Sequence, residues 1–110
     1  MKLPNAEQAI IDIAKLRDYC LNPNHPEGRH KARVFKSALG LEQSDAEWLA
    51  REIARQITLI ETCRAEHTSY GWRYDVDMKI VRNDRVAVIR TGWIVRHTEN
   101  VPRLSTCFAR

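Results

Sequence analysis

The spacing of apolar residues changes once along this chain, near residue 68, and the change separates a helical half from a stranded half. From Tyr70 onward, Tyr70, Trp72, Tyr74, Val76, Met78 and Ile80 alternate with Gly71, Arg73, Asp75, Asp77 and Lys79. A period of two puts the first set on one face of a strand and the second on the other. Arg82-Asn83-Asp84-Arg85 supplies turn residues for a hairpin into a second strand, Val86 to Val95. Thr98-Glu99-Asn100 makes the next turn, and Pro102 opens a third strand, Arg103 to Phe108. The turns are too short for crossovers, so the strands must pair antiparallel.

Before residue 68 the apolar period is helical. Asp12 is a candidate N-cap for a helix over 13–21 with Ile13, Leu16, Tyr19 and Cys20 on its apolar side. Asn22 to Gly28 is loop by composition. A second helix spans 28–39, with Ala32, Phe35 and Leu39 as its stripe and Gly40 as a left-handed C-cap. The third has Ser44-Asp45-Ala46-Glu47 as a capping box and runs over 45–64, with Ala46, Leu49, Ile53, Ile57 and Ile60 facing inward. Residues 1–11 read equally as an extended arm or as the lead-in to a helix. The expected class is α+β, with N-terminal helices packed on a C-terminal antiparallel β-meander, and helix three lying on the face carrying Trp72, Tyr74 and Val76. At 110 residues the chain is one domain, 1–110.

Composition removes several classes. No apolar run approaches the ~18 residues of a membrane span. MKLPNAEQAII shows no basic segment followed by a long apolar stretch. Cys20, Cys63 and Cys107 match neither a disulfide framework nor a zinc spacing. The expectation is a cytoplasmic protein without cofactor, metal or membrane partner. The net charge is +4, and division of the chain locates it. Residues 1–69 hold ten basic and ten acidic side chains, and residues 70–110 hold eight and four. Arginine outnumbers lysine thirteen to five. Guanidinium groups suit phosphate, which would make RNA the obvious anionic partner, but charge alone favours the plainer reading that +4 only prevents self-association.

The segment Gly28-Arg29-His30-Lys31-Ala32-Arg33 puts four potential cations at a helix start, where the dipole disfavours them. A local rule broken in this way marks a candidate site, because the same amides and cations attract an anion. His30 is the candidate general base, with neighbouring cations favouring its neutral form. His25 pairs with it only as a weak metal site, and His67 and His97 belong to no constellation. In the second strand Arg90, Gly92, Ile94 and Arg96 share one face and Thr91, Trp93, Val95 and His97 the other. Arg103 and Thr106 add a guanidinium and a hydroxyl from the third strand. P-loop, serine-hydrolase and zinc-protease motifs are all missing. RNA cleavage through its own 2′-hydroxyl fits what remains: a base, an acid and cationic charge stabilisation.

Lys15-Leu16-x-x-Tyr19-x-Leu21-Asn22, Gly28-Arg29-His30-Lys31-Ala32-x-x-Phe35, Tyr70-Gly71-x-x-Tyr74, Thr91-x-Trp93-Ile94 and Pro102-Arg103-Leu104-x-Thr106 run through nearly the whole chain. Together they resemble a bacterial domain family whose members stand alone or form the C-termini of polymorphic toxins. The wider group is similar to the barnase–EndoU–colicin–RelE-like ribonuclease fold. The resemblance implies an active site between the basic helix and the sheet. His30, Lys31, Arg103 and Thr106 would be catalytic, and Arg29, Arg33, Arg90, Thr91 and Trp93 would bind substrate. It implies a metal-independent ribonuclease toxin, restrained by a small antitoxin or immunity protein. The alternative is a non-catalytic RNA-binding or protein-interaction module. On this reading Lys31 and Arg103 line one concavity.

Overall fold

In the computed structural model, which describes residues 2–61 and 63–110, the helices precede an antiparallel sheet as the two periods require. Helix α1, Ile13–Lys15, starts at Asp12, whose carboxylate accepts from the Ala14 amide at 2.9 Å. It continues as a wider π turn over Leu16–Cys20, closed by the Leu21 amide on the Leu16 carbonyl at 2.8 Å. That widening brings Leu16, Cys20 and Leu21 into the core and leaves Ile13 exposed. Helix α2, Arg29–Leu39, buries Ala32, Phe35 and Leu39 and ends at Gly40 with φ +68°. Arg85 donates to the carbonyls of Lys36 and Ser37 at 3.2 and 3.3 Å, so a cation sits at the helix C-terminus, where the dipole favours it.

Helix α3, Ala46–Ile57, departs from expectation at both ends. The capping box lies two residues earlier, between Glu42 and Asp45, around a 3₁₀ turn over Gln43–Asp45. The Glu42 amide donates to Asp45 at 2.9 Å, and Asp45 also holds Arg82 at 2.9 Å. Ser44, the expected cap, is exposed. The helix stops at Ile57 rather than near Arg64, because Leu59 and Ile60 both donate to the Gln56 carbonyl and close a turn. Residues Arg64–Thr68, at and just beyond the expected end of helix three, form strand β1. The missed strand pairs with the edge of β2, whose backbone groups would otherwise lack partners.

The sheet has the order β1-β2-β3-β4, with β2 at Gly71–Arg82, β3 at Arg85–Arg96 and β4 at Arg103–Ala109, all antiparallel. Asn83, at φ +55°, makes the tight β2–β3 turn. Directly opposed pairs Tyr74–Trp93, Val76–Thr91 and Met78–Ile89 form the buried row under the helices. Helix α2 packs on β3 and β4, and α3 packs on β2, where Gln56 donates to the Lys79 carbonyl at 2.8 Å. Trp72 was expected in this core, but it is 46 % exposed and Tyr70 is 77 % exposed. The helical layer covers the sheet only as far as Tyr74. The opposite sheet face carries Arg73, Asp75, Asp77, Lys79, Arg90 and Thr106. The N-terminal segment neither forms a free arm nor runs into α1. It buries Leu3 and Ala6, and Ile10 bridges in parallel to Arg103 along the outer side of β4. Among the described residues, no helix is long and apolar enough to cross a membrane.

Candidate functional site

The start of α2 is partly occupied from within the chain. His25 takes the amides of Glu27 and Gly28, just before the helix, on Nδ1 at 3.0 and 2.9 Å, and its carbonyl accepts from Arg29, the first helical residue, at 3.0 Å; the His30 and Lys31 amides are not among those it takes. His30 is exposed and lies with Lys31 beside Phe108 and Ala109, at the C-terminal end of β4. The Lys31 ammonium sits 5.3 Å from the Tyr19 ring centroid and 5.6 Å from that of Phe108. Arg103 stands at the other end of the same strand, where Glu99 holds it at 2.7 Å. Lys31 and Arg103 therefore line separate depressions.

The remaining predicted residues divide between core and outer face. Thr91 and Trp93 are fully buried and cannot bind substrate. The Thr91 hydroxyl donates to the Val76 carbonyl at 2.8 Å and accepts from Trp93 Nε1 at 2.9 Å, which satisfies the indole inside the core. Arg90 is held by Asp77 through contacts of 2.8 and 3.2 Å. Arg90, and Arg110 beside it, hold the Asp77 carboxyl below its usual range. Arg103 does the same to Glu99. Thr106 lies over Gly92, where an added Cβ would meet its Oγ1 at 2.2 Å. Arg29 and Arg33 are exposed on another flank of α2 and face the turn at 41–44.

A second grouping of chemical side chains lies at the end of the sheet that the helices leave uncovered. Gly71, at φ +143°, packs against the Val95 carbonyl so closely that a Cβ would lie 2.1 Å from it. This approach folds the β1–β2 turn over the end of β3. His97 then donates its amide to the Tyr70 carbonyl, and its Nε2 lies 3.2 Å from the Ser69 carbonyl. A carbonyl only accepts, so that contact puts the proton on Nε2 and leaves Nδ1 as the acceptor of the neutral ring. The His67 ring stands edge-on to Trp72 at 5.0 Å and to His97 at 5.7 Å between centroids.

Beside them is a depression of about 540 Å³ lined by Tyr70, Arg73, Ile94, Arg96, His97 and Ser105 among others. Arg73 and Arg96 are only loosely paired, each 3.6 Å from a carboxylate, Asp75 and Glu99 respectively. A smaller neighbouring hollow shares Ile94, Arg96 and Ser105 and adds Lys15 and Arg103, so Arg103 belongs to the rim. Arg73, Arg96, Tyr70 and His97 thus share one open depression, while His67 and Trp72 lie on the helix-side face of the sheet and reach it only through the His97 ring. That combination suits a single-stranded nucleic acid, which stacks on rings and follows positive charge. Sequence reasoning missed His67 and His97 because no spacing links residues thirty positions apart. The exposed aromatics flanking Gly71 were the one available signal. Among the described residues, no three His, Cys, Asp or Glu side chains cluster as metal ligands.

A protein-family model described as a domain of unknown function (DUF6883) matches residues 2–110. No curated protein and no solved structure matches the chain.

Proposed function

We propose that this chain, which belongs to that family of domains of unknown function, is a metal-independent ribonuclease domain acting on single-stranded RNA at the open end of its sheet. The observation that carries the reading is the depression in which His97 joins Arg73 and Arg96, with the His67 ring 5.7 Å from that of His97. His97 Nδ1 takes the proton of a ribose 2′-hydroxyl, whose oxygen attacks the adjacent phosphorus. His67, in its protonated form, gives a proton to the departing 5′-oxygen, and a 2′,3′-cyclic phosphate remains. Arg73 and Arg96 stabilise the charge that builds on the phosphoryl oxygens. Tyr70 and Trp72 hold neighbouring bases by stacking. Within a bacterial cell such an activity is toxic, and a small acidic partner protein would restrain it.

Positioned acid–base groups are worth ~10²–10⁴-fold in rate. His97→Ala and His67→Ala should each lower cleavage of mixed cellular RNA on that order in EDTA-containing buffer. His30→Ala should leave it nearly unchanged, because His30 lies at the opposite end of β4 from this cluster. Intact RNA at high protein concentration, with and without metal, overturns the ribonuclease reading. Steeply salt-dependent RNA binding without cleavage replaces it with a binding module. Loss of cleavage in His30→Ala but not in His97→Ala moves the chemistry to α2.

A further inference from the structure

A larger hollow lies elsewhere among the described residues. A cleft of about 620 Å³ runs between α2 and the 41–44 turn, and its volume is in the range of ligand and peptide sites. One wall is cationic: Arg29, Arg33 and Lys36 recur at i, i+4 and i+7 along a single flank of α2. The floor is aliphatic, formed by Leu21, Ala32 and Leu41. Lys36 is tied to Glu42 at 3.1 Å. Arg29 and Arg33 make no ion pair or side-chain hydrogen bond among the described residues. Their position in the first turns of α2 opposes the helix dipole, so their charge does not serve the helix. Both also lie on the flank that faces the 41–44 turn, away from the amides of Glu27, Gly28 and Arg29 that His25 binds.

We propose that this cleft docks an acidic, aliphatic segment of a partner protein. Carboxylates at helical spacing would meet Arg29 and Arg33, which the four-residue step sets about 6 Å apart along the helix. Leucine-like side chains between them would enter the floor, the arrangement of helix-in-groove recognition. RNA is the poorer occupant. No aromatic side chain lines the cleft, so a base would find only the Arg29 and Arg33 guanidinium planes to stack on, beside an aliphatic floor that a nucleic acid leaves unused. The proposal is independent of the chemistry assigned to the sheet end.

The test is selection of displayed random peptides, about four helical turns long, on the parent protein, with counter-selection on the Arg29→Glu/Arg33→Glu double variant. Both arginines are exposed, so the variant should fold, which circular dichroism checks. Recovered peptides should be rich in Asp, Glu and aliphatic residues, and should bind the double variant at least tenfold more weakly. Arg33→Lys should retain most of the affinity. In amide NMR spectra the bound peptide should shift Ala32, Ser37 and Ser44. Peptides without acidic bias, equal binding to the double variant, or shifts confined to the sheet end overturn the proposal. Oligouridylate shifting the same three amides, while the selected peptides do not, overturns it in favour of an RNA surface.

Discussion

Threonine 91 and glycine 92 are neighbours with opposite surroundings, and each carries a test. Thr91 faces the core, where its hydroxyl is the hydrogen-bond partner of the buried Trp93 indole. Thr91→Val keeps the shape but strands that N–H. It should cost about 1–3 kcal/mol in urea unfolding, the cost of an unsatisfied buried donor. A neutral result would show that the indole finds another partner. Gly92 faces outward and sits directly opposite Thr106. Gly92→Ala drives a methyl into the Thr106 hydroxyl and should destabilise by about 1–3 kcal/mol, as overpacking does. Adding Thr106→Ala should restore most of the loss, and additive losses in the double variant would show that the contact is not the cause. Both positions were read as substrate-facing candidates or their neighbours. Both are buried, and what separates them is the face each occupies, which cannot be read from a strand whose two faces are both mixed.

Among the elements, the entry to α3 shows how a local signal can be correct in kind and displaced in register. Ser44-x-x-Glu47 has capping-box spacing, yet Glu42 and Asp45 make the box. Asp45 wins because it also receives Arg82 from the β2–β3 hairpin, and Arg82 in turn lies 4.7 Å from the Trp48 ring centroid. One carboxylate thus joins the helix start to the sheet. Asp45→Ala should lower stability by about 1–2 kcal/mol, in the range of a lost cap. Asp45→Asn, which keeps the acceptor for the Glu42 amide, should lose less. Equal losses by thermal denaturation would assign the effect to the Arg82 pair instead.

Across the fold, the excess of cations in residues 70–110 is mostly structural. Arg82, Arg85, Arg90, Arg103 and Arg110 hold Asp45, the end of α2, Asp77, Glu99 and Asp77 respectively. Asp77 is depressed chiefly by its hydrogen bond from Arg90, and Glu99 by that from Arg103. A carboxyl whose folded pKa is lowered stabilises the fold above its unfolded pKa, about 4. That stability disappears as pH falls through the folded value. Thermal midpoints should therefore be flat from about pH 7 to 5 and drop below about pH 4. The drop should be shallower in Asp77→Asn/Glu99→Gln. An unchanged acid limb in that variant would place the acid sensitivity elsewhere.

The class of the fold, the order of its elements, the α2 stripe, the Asp12 and Gly40 caps and the antiparallel hairpins were legible in the chain. Each depends on residues within a few positions of one another, where 3.6- and 2-residue periods and turn chemistry act. Strand β1 was not legible, because Arg64–Thr68 is extended through pairing with β2 rather than through its own pattern. The candidate site was legible as a class of chemistry, cations with imidazole, but not as a set of residues. His30 and Lys31 stand out in the sequence because they are adjacent. His67 and His97 come together through the approach of Gly71 to Val95, a contact between strands that no local pattern announces. Which arginines pair with a carboxylate, and which two are left facing the α2 cleft, is likewise a matter of distances between remote segments, and those distances exist only once the chain has packed.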